Sequence, residues 1–106
     1  MLIERIRKCF EHGKVFYSRH ARTEMENEEF GEIREQETYE AVLSGTIIEN
    51  YPKDVPYPSC LIYGHTRNGR PIHLVCAYSA SEELVVIITA YEPNPEKWIG
   101  FTRRKV

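Results

Sequence analysis

The chain has 106 residues, 42% of them hydrophobic and 28% charged, with a formal net charge of −2. That describes one ordinary globular domain with its own core and leaves no room for a second. No apolar run approaches the ~20 residues that span a bilayer, and the slightly acidic balance counts against a dedicated nucleic-acid binder. The start, Met1 to Lys8, mixes charges among its apolar residues, which excludes a signal peptide and predicts a cytoplasmic protein. Cys9, Cys60 and Cys76 are odd in number and lack C-x-x-C spacing, so buried reduced thiols are expected instead of disulfides or structural zinc.

Leu2, Ile3, Ile6, Cys9 and Phe10 recur at helical spacing and predict a first helix over about 2–12, stopped by Gly13. Lys14 to Tyr17 reads as a short extended entry. Ser18 is a good N-cap, with Ala21 and Met25 at helical spacing behind it, so a second helix is predicted over about 18–27. A third spans about 34–43 on Tyr39, Val42 and Leu43. The acidic residues from Glu24 to Glu40 read as a solvated surface.

After Gly45 the pattern changes to strands. Thr46–Tyr51 is one; Pro52, Pro56 and Pro58 then punctuate an irregular loop. Further strands are predicted at about 60–66, 71–79 and 84–91, and Pro93 and Pro95 end the sheet, with Trp98 expected to fold back as a lid. The predicted fold class is α+β, N-terminal helices packed on a four-stranded, mainly antiparallel sheet.

Asn68-Gly69 between two β-rich runs is the strongest short hairpin signal in the chain. Read as a two-residue turn, it pairs Arg67 with Arg70, Gly64 with His73, and Leu61 with Cys76. A five-residue connection over 79–83 then pairs Tyr78 with Leu84 and His73 with Thr89, whereas a four-residue loop shifts that register and turns the faces over. The first register gathers Gly64, His73, Thr89 and Tyr91 at one polar end of the sheet, where Gly64 leaves space beside His73. The competing reading is that His73 and Tyr91 are hydrogen-bonded core residues.

His20, in the first turn of the second helix, sits where the helix dipole disfavours its protonation and leaves a neutral base. With His73 as acid and the Arg22 guanidinium as a phosphate fork, these are parts for cleaving RNA without a metal. A metal site of His20, His65 and His73 with Glu24 lacks tight ligand spacing, so no metal and no cofactor is expected. A serine hydrolase lacks the G-x-S-x-G elbow.

Ser18-Arg19-His20-Ala21 with Met25, the run Ala41–Gly45, Ile48–Pro52, Leu61–Gly64, Pro71–Val75, Ile88–Pro93 and Trp98 together resemble the bacterial domain-of-unknown-function 4258 family. That family looks related to the RelE-like ribonuclease toxins, some members being similar to toxins encoded beside a zinc-finger antitoxin. The resemblance implies a RelE-like endoribonuclease that cleaves mRNA, free or on the ribosome, with His20, His73 and Tyr91 at its motif positions. Arg22, Arg67, Arg70 and Thr89 are the expected substrate contacts. Two features depart from the pattern: Glu24 stands where the family commonly has Arg, and the chain lacks the basic excess usual in such toxins. Both favour a rival reading, a non-catalytic protein-binding module of the same fold. A small-molecule or nucleotide hydrolase on the same face is a third.

Overall fold

The structure, a computed structural model, describes residues 1–106. Helix α1 (Leu2–Glu11) buries Ile6 and Cys9 and ends where Gly13 takes a left-handed φ of 69°. Strand β1 (Val15–Tyr17) leads into α2 (Arg19–Glu26), whose Ser18 cap accepts from the Ala21 N–H at 3.0 Å. Helix α3 (Glu35–Ser44) precedes β2 (Thr46–Tyr51), β3 (Ser59–His65), β4 (Pro71–Ser79) and β5 (Leu84–Tyr91). A small two-stranded ribbon, β6 (Trp98–Ile99) and β7 (Arg103–Arg104), closes the chain. No helix is long and apolar enough to cross a membrane.

The main sheet has five strands, not four, in the order β1-β5-β4-β3-β2. The extra strand is the segment read as an extended entry: β1 lies parallel to β5, with Val15 opposite Val85. Only three residues long, with a partner some seventy residues away, it leaves no local pattern to detect. The Ser18 backbone and then side chains prolong this edge pairing where β1 stops. The Ser18 N–H donates to the Ile87 carbonyl and its hydroxyl to that of Ile88, both at 3.0 Å. Glu24 Oε1 then accepts from the Ala90 N–H at 2.8 Å and from the Thr89 hydroxyl.

The β3–β4 register differs from expectation by one residue. The turn holds three residues, Arg67 to Gly69: Thr66 N–H donates to the Arg70 carbonyl, and Gly69 N–H to that of Thr66, each at 2.9 Å. Gly69 takes the left-handed position with φ 85°. Tyr63 therefore lies opposite His73, Gly64 opposite Ile72 and Cys60 opposite Cys76. Because side chains alternate, this moves Gly64 to the helix-covered face, away from His73. There it serves close packing, since a Cβ at Gly64 would lie 1.8 Å from the Ala41 carbonyl oxygen of α3.

The β4–β5 connection has four residues, with Ser79 opposite Leu84, instead of five. Alone this would separate His73 from Tyr91, but a bulge at Ile88 restores the phase. His73 faces Tyr91, and Thr89 lies opposite Val75, not His73. The helix face then carries Ile62, Leu74, Val85 and Ile87, packed with Ile6, Met25, Ala41 and Val42 in one buried cluster. Each such fully buried aliphatic side chain contributes about 1.5–3 kcal/mol to folding.

Candidate functional site

The opposite face of the sheet carries Glu49 and Tyr51 from β2, Leu61 and Tyr63 from β3, His73 from β4 and Tyr91 from β5. The ribbon at the chain's end covers its centre. Trp98 is buried, as the lid reading expected, and its ring stands nearly perpendicular to His73 with centroids 4.5 Å apart. Tyr91 and Tyr63 flank the imidazole at 5.3 Å and 5.7 Å.

His73 is fully buried, and both ring nitrogens are engaged. Nε2 lies 2.6 Å from the Phe101 carbonyl, which can only accept, so Nε2 carries the proton. Nδ1 is then a lone pair that accepts from the Tyr91 hydroxyl at 3.1 Å. Burial lowers the imidazole's pKa; the Phe101 carbonyl and the Glu49 carboxylate pull the other way, and Arg104 adds to the lowering. The Phe101 carbonyl is presented by a turn in which Gly100 and Phe101 both have positive φ, 58° and 63°. That conformation costs a bulky residue about 1–2 kcal/mol.

Tyr91 is the member of this pair that meets solvent. Burial pushes its phenol up to about 12, so it stays protonated at neutral pH. It lines a 490 Å³ pocket with Glu29, Glu92, Asn94, Lys97, Trp98, Arg104 and Lys105. The Arg104 guanidinium lies over the Trp98 ring, 4.7 Å from its centroid, and donates to Glu49 from Nε at 2.9 Å and Nη2 at 3.0 Å. Tyr51 donates to the same carboxylate.

The other residues singled out from the sequence do not gather here. Thr89 is held by Glu24. His20 is largely exposed on α2, its Nε2 4.0 Å from Glu24 Oε2, and it does not line the pocket. Arg22 pairs with Glu35 at 3.2 Å and lies over the Tyr17 ring. Arg67 is exposed, 3.9 Å from Glu40. Arg70 is a structural bracket: Nε meets Glu92 at 2.6 Å, Nη1 meets Glu37 at 3.2 Å, and further bonds reach the Gly31 and Glu32 carbonyls. Lys97, Phe101 and Arg104 went unremarked as site residues; the only signal was the short basic run ending in Lys105 and the aromatic residues before it.

Fold and site together define a small α+β domain, three helices on one face of a mainly antiparallel five-stranded sheet and a buried His–Tyr pair on the other. The chain belongs to the family described as domain of unknown function (DUF4258), whose model matches residues 17–92. The match takes in His73 and Tyr91, while Trp98, Phe101 and Arg104 lie beyond it. No curated protein and no solved structure matches the chain significantly.

Proposed function

We propose that this domain is a RelE-like, metal-independent endoribonuclease of the toxin–antitoxin kind, acting on single-stranded mRNA with Tyr91 at the reacting phosphodiester. The observation that carries the reading is Tyr91, its hydroxyl backed by the His73 lone pair and its side chain lining a pocket with three cationic side chains. Its partners are RNA, on or off the ribosome, and an antitoxin of the zinc-finger type.

The hydrogen-bond pattern favours His73 as the basic member and not as the acid. With its proton on Nε2, His73 has none to give through Nδ1. The Tyr91 oxygen takes the 2′-OH proton as its own passes to Nδ1. The 2′-oxygen attacks phosphorus, the bond to the 5′-oxygen breaks, and the products are a 2′,3′-cyclic phosphate and a 5′-OH end. The leaving oxygen takes a proton from water in the open pocket. Glu49 offsets the charge gained by His73. Lys97, Arg104 and Lys105 stabilise the extra charge on the phosphorane. The Arg104 plane, held by Trp98 and Glu49, offers a surface on which a base stacks.

Tyr91→Phe keeps the ring packing and removes only the hydroxyl. Purified protein incubated with end-labelled single-stranded RNA, and with mRNA in a translating extract, should yield cyclic-phosphate ends, and this variant should lose about 10²–10⁴-fold in rate. Equal cleavage by the variant would remove Tyr91 from the chemistry. The binding-module reading draws on a different observation: Arg22, Arg67, Arg70 and Arg104 each face a carboxylate. No cleavage in either assay, with a protein partner recovered in stoichiometric complex, would favour it.

A further inference from the structure

Away from the His73–Tyr91 face, a concavity of about 660 Å³ lies between α1 and the turn joining β4 to β5. Arg5 and Lys8, three residues apart on one side of α1, line it with His12 at the helix's C-cap, and Lys14 joins them. Arg5 and Lys8 make no ion pair and no side-chain hydrogen bond, and Lys14 Nζ donates only to the Glu82 backbone carbonyl at 3.2 Å. These cations stand unneutralised, unlike the arginines paired with carboxylates elsewhere. Eight of the sixteen acidic residues fall between Glu24 and Glu40, and none of those lines the cleft; its one lining carboxylate, Glu83, makes no ion pair with Arg5, Lys8 or Lys14.

The walls are tied together before any ligand arrives. Cys9 Sγ–H donates to the Glu83 carbonyl at 3.3 Å, Lys14 N–H to that of Cys9 at 2.8 Å, and Val85 N–H to that of Lys14 at 3.0 Å. Glu83 is held at φ 51°, a strained conformation for a non-glycine residue, where its carbonyl meets the thiol. A preorganised cationic cleft loses little freedom on binding.

We infer that this cleft binds the phosphate backbone of a single-stranded nucleic acid. Arg5, Lys8 and Lys14 set three charges along one cleft, a row suited to successive phosphates. Each phosphate neutralised releases counterions, whereas solvated side-chain pairs to an acidic peptide gain little. A peptide would also find no free strand edge here, because β4 and β5 both lie inside the sheet. The inference rests on RNA as the ligand of this domain but not on cleavage at Tyr91.

The test is fluorescence anisotropy of a labelled, mixed-sequence 20-nucleotide RNA across a salt series, comparing wild type, Arg5→Ala/Lys8→Ala and Tyr91→Phe. Both substituted positions of the double variant lie on the helix surface, and a circular-dichroism melt checks its fold. The double variant should bind at least ~10-fold more weakly at low salt, and its log–log salt slope should flatten by about 1.4, two charges at ~0.7 each. Tyr91→Phe, assayed for cleavage alongside, tests the other site separately, so a failure at Tyr91 appears in cleavage and a failure here in the binding of the double variant. Unchanged affinity of the double variant, or no RNA binding by wild type, overturns the inference. So does tighter binding of poly-glutamate, or competition by inorganic pyrophosphate at the RNA's own concentration, which would mark a free-phosphate site.

Discussion

His73, in the middle of a strand, is sealed between Trp98, Tyr63 and Tyr91 with both nitrogens bonded. Its folded pKa lies below the ordinary value of 6.5 because burial penalises the imidazolium. The unfolded chain therefore binds a proton more readily than the folded one, and stability contributed by neutral His73 falls as pH drops below about 6.5. Urea unfolding between pH 7.5 and 5.5 should show a loss of up to about 1.4 kcal/mol per pH unit at the lower end. Glu40 and Glu49, held below the usual carboxylate range by their partners, remain ionised throughout that window. His73→Gln should lower stability at pH 7.5 but flatten this slope; an unchanged slope would place the titration elsewhere.

At the scale of elements, two contacts bind helices to the sheet through features that look like minor details in the chain. Glu24 on α2 takes over the backbone pairing of β5 where β1 ends, so a carboxylate at that position is a structural acceptor. Gly64 lets α3 approach β3 to backbone contact. Gly64→Ala should cost about 3 kcal/mol, because a Cβ only 1.8 Å from the Ala41 carbonyl oxygen cannot be relieved without moving the helix. Gly69→Ala meets nothing within 4 Å and is strained only by φ 85°, so it should cost about 1 kcal/mol. Urea midpoints of the two variants separate these effects, and equal losses would contradict the close-approach argument.

The whole molecule places its helices on one face of the sheet and its terminal ribbon on the other. Trp98 ties the two ends of that second face together, meeting His73 edge-on and supporting Arg104. Trp98→Ala should destabilise the domain by about 3–5 kcal/mol. It should also admit water to His73, so that NMR titration of the imidazole moves toward the ordinary value. If the titration stays depressed after Trp98 is lost, the cover is not what isolates the ring.

The helices, the Ser18 cap, four of the strands and the hairpin at Asn68-Gly69 were legible because they depend on neighbours within a few residues: periodicity, capping and turn chemistry are local. The sharing of one face by His73 and Tyr91 was also anticipated, although with Thr89 as the residue opposite His73 and through a loop one residue too long that offset the missed bulge. A three-residue turn and a bulge at Ile88 decide which side chains share a face, and both depend on how the strands pack under the helices. The parallel strand β1, the neutralisation of Arg70 and the enclosure of His73 by Trp98 and Phe101 join residues far apart in the chain. Local sequence therefore determined the α+β elements and nominated the histidine. Only the tertiary structure decided that His73 lies buried as a neutral acceptor, with Tyr91 in front of it, because desolvation and long-range hydrogen bonding exist only once the chain has closed over the ring.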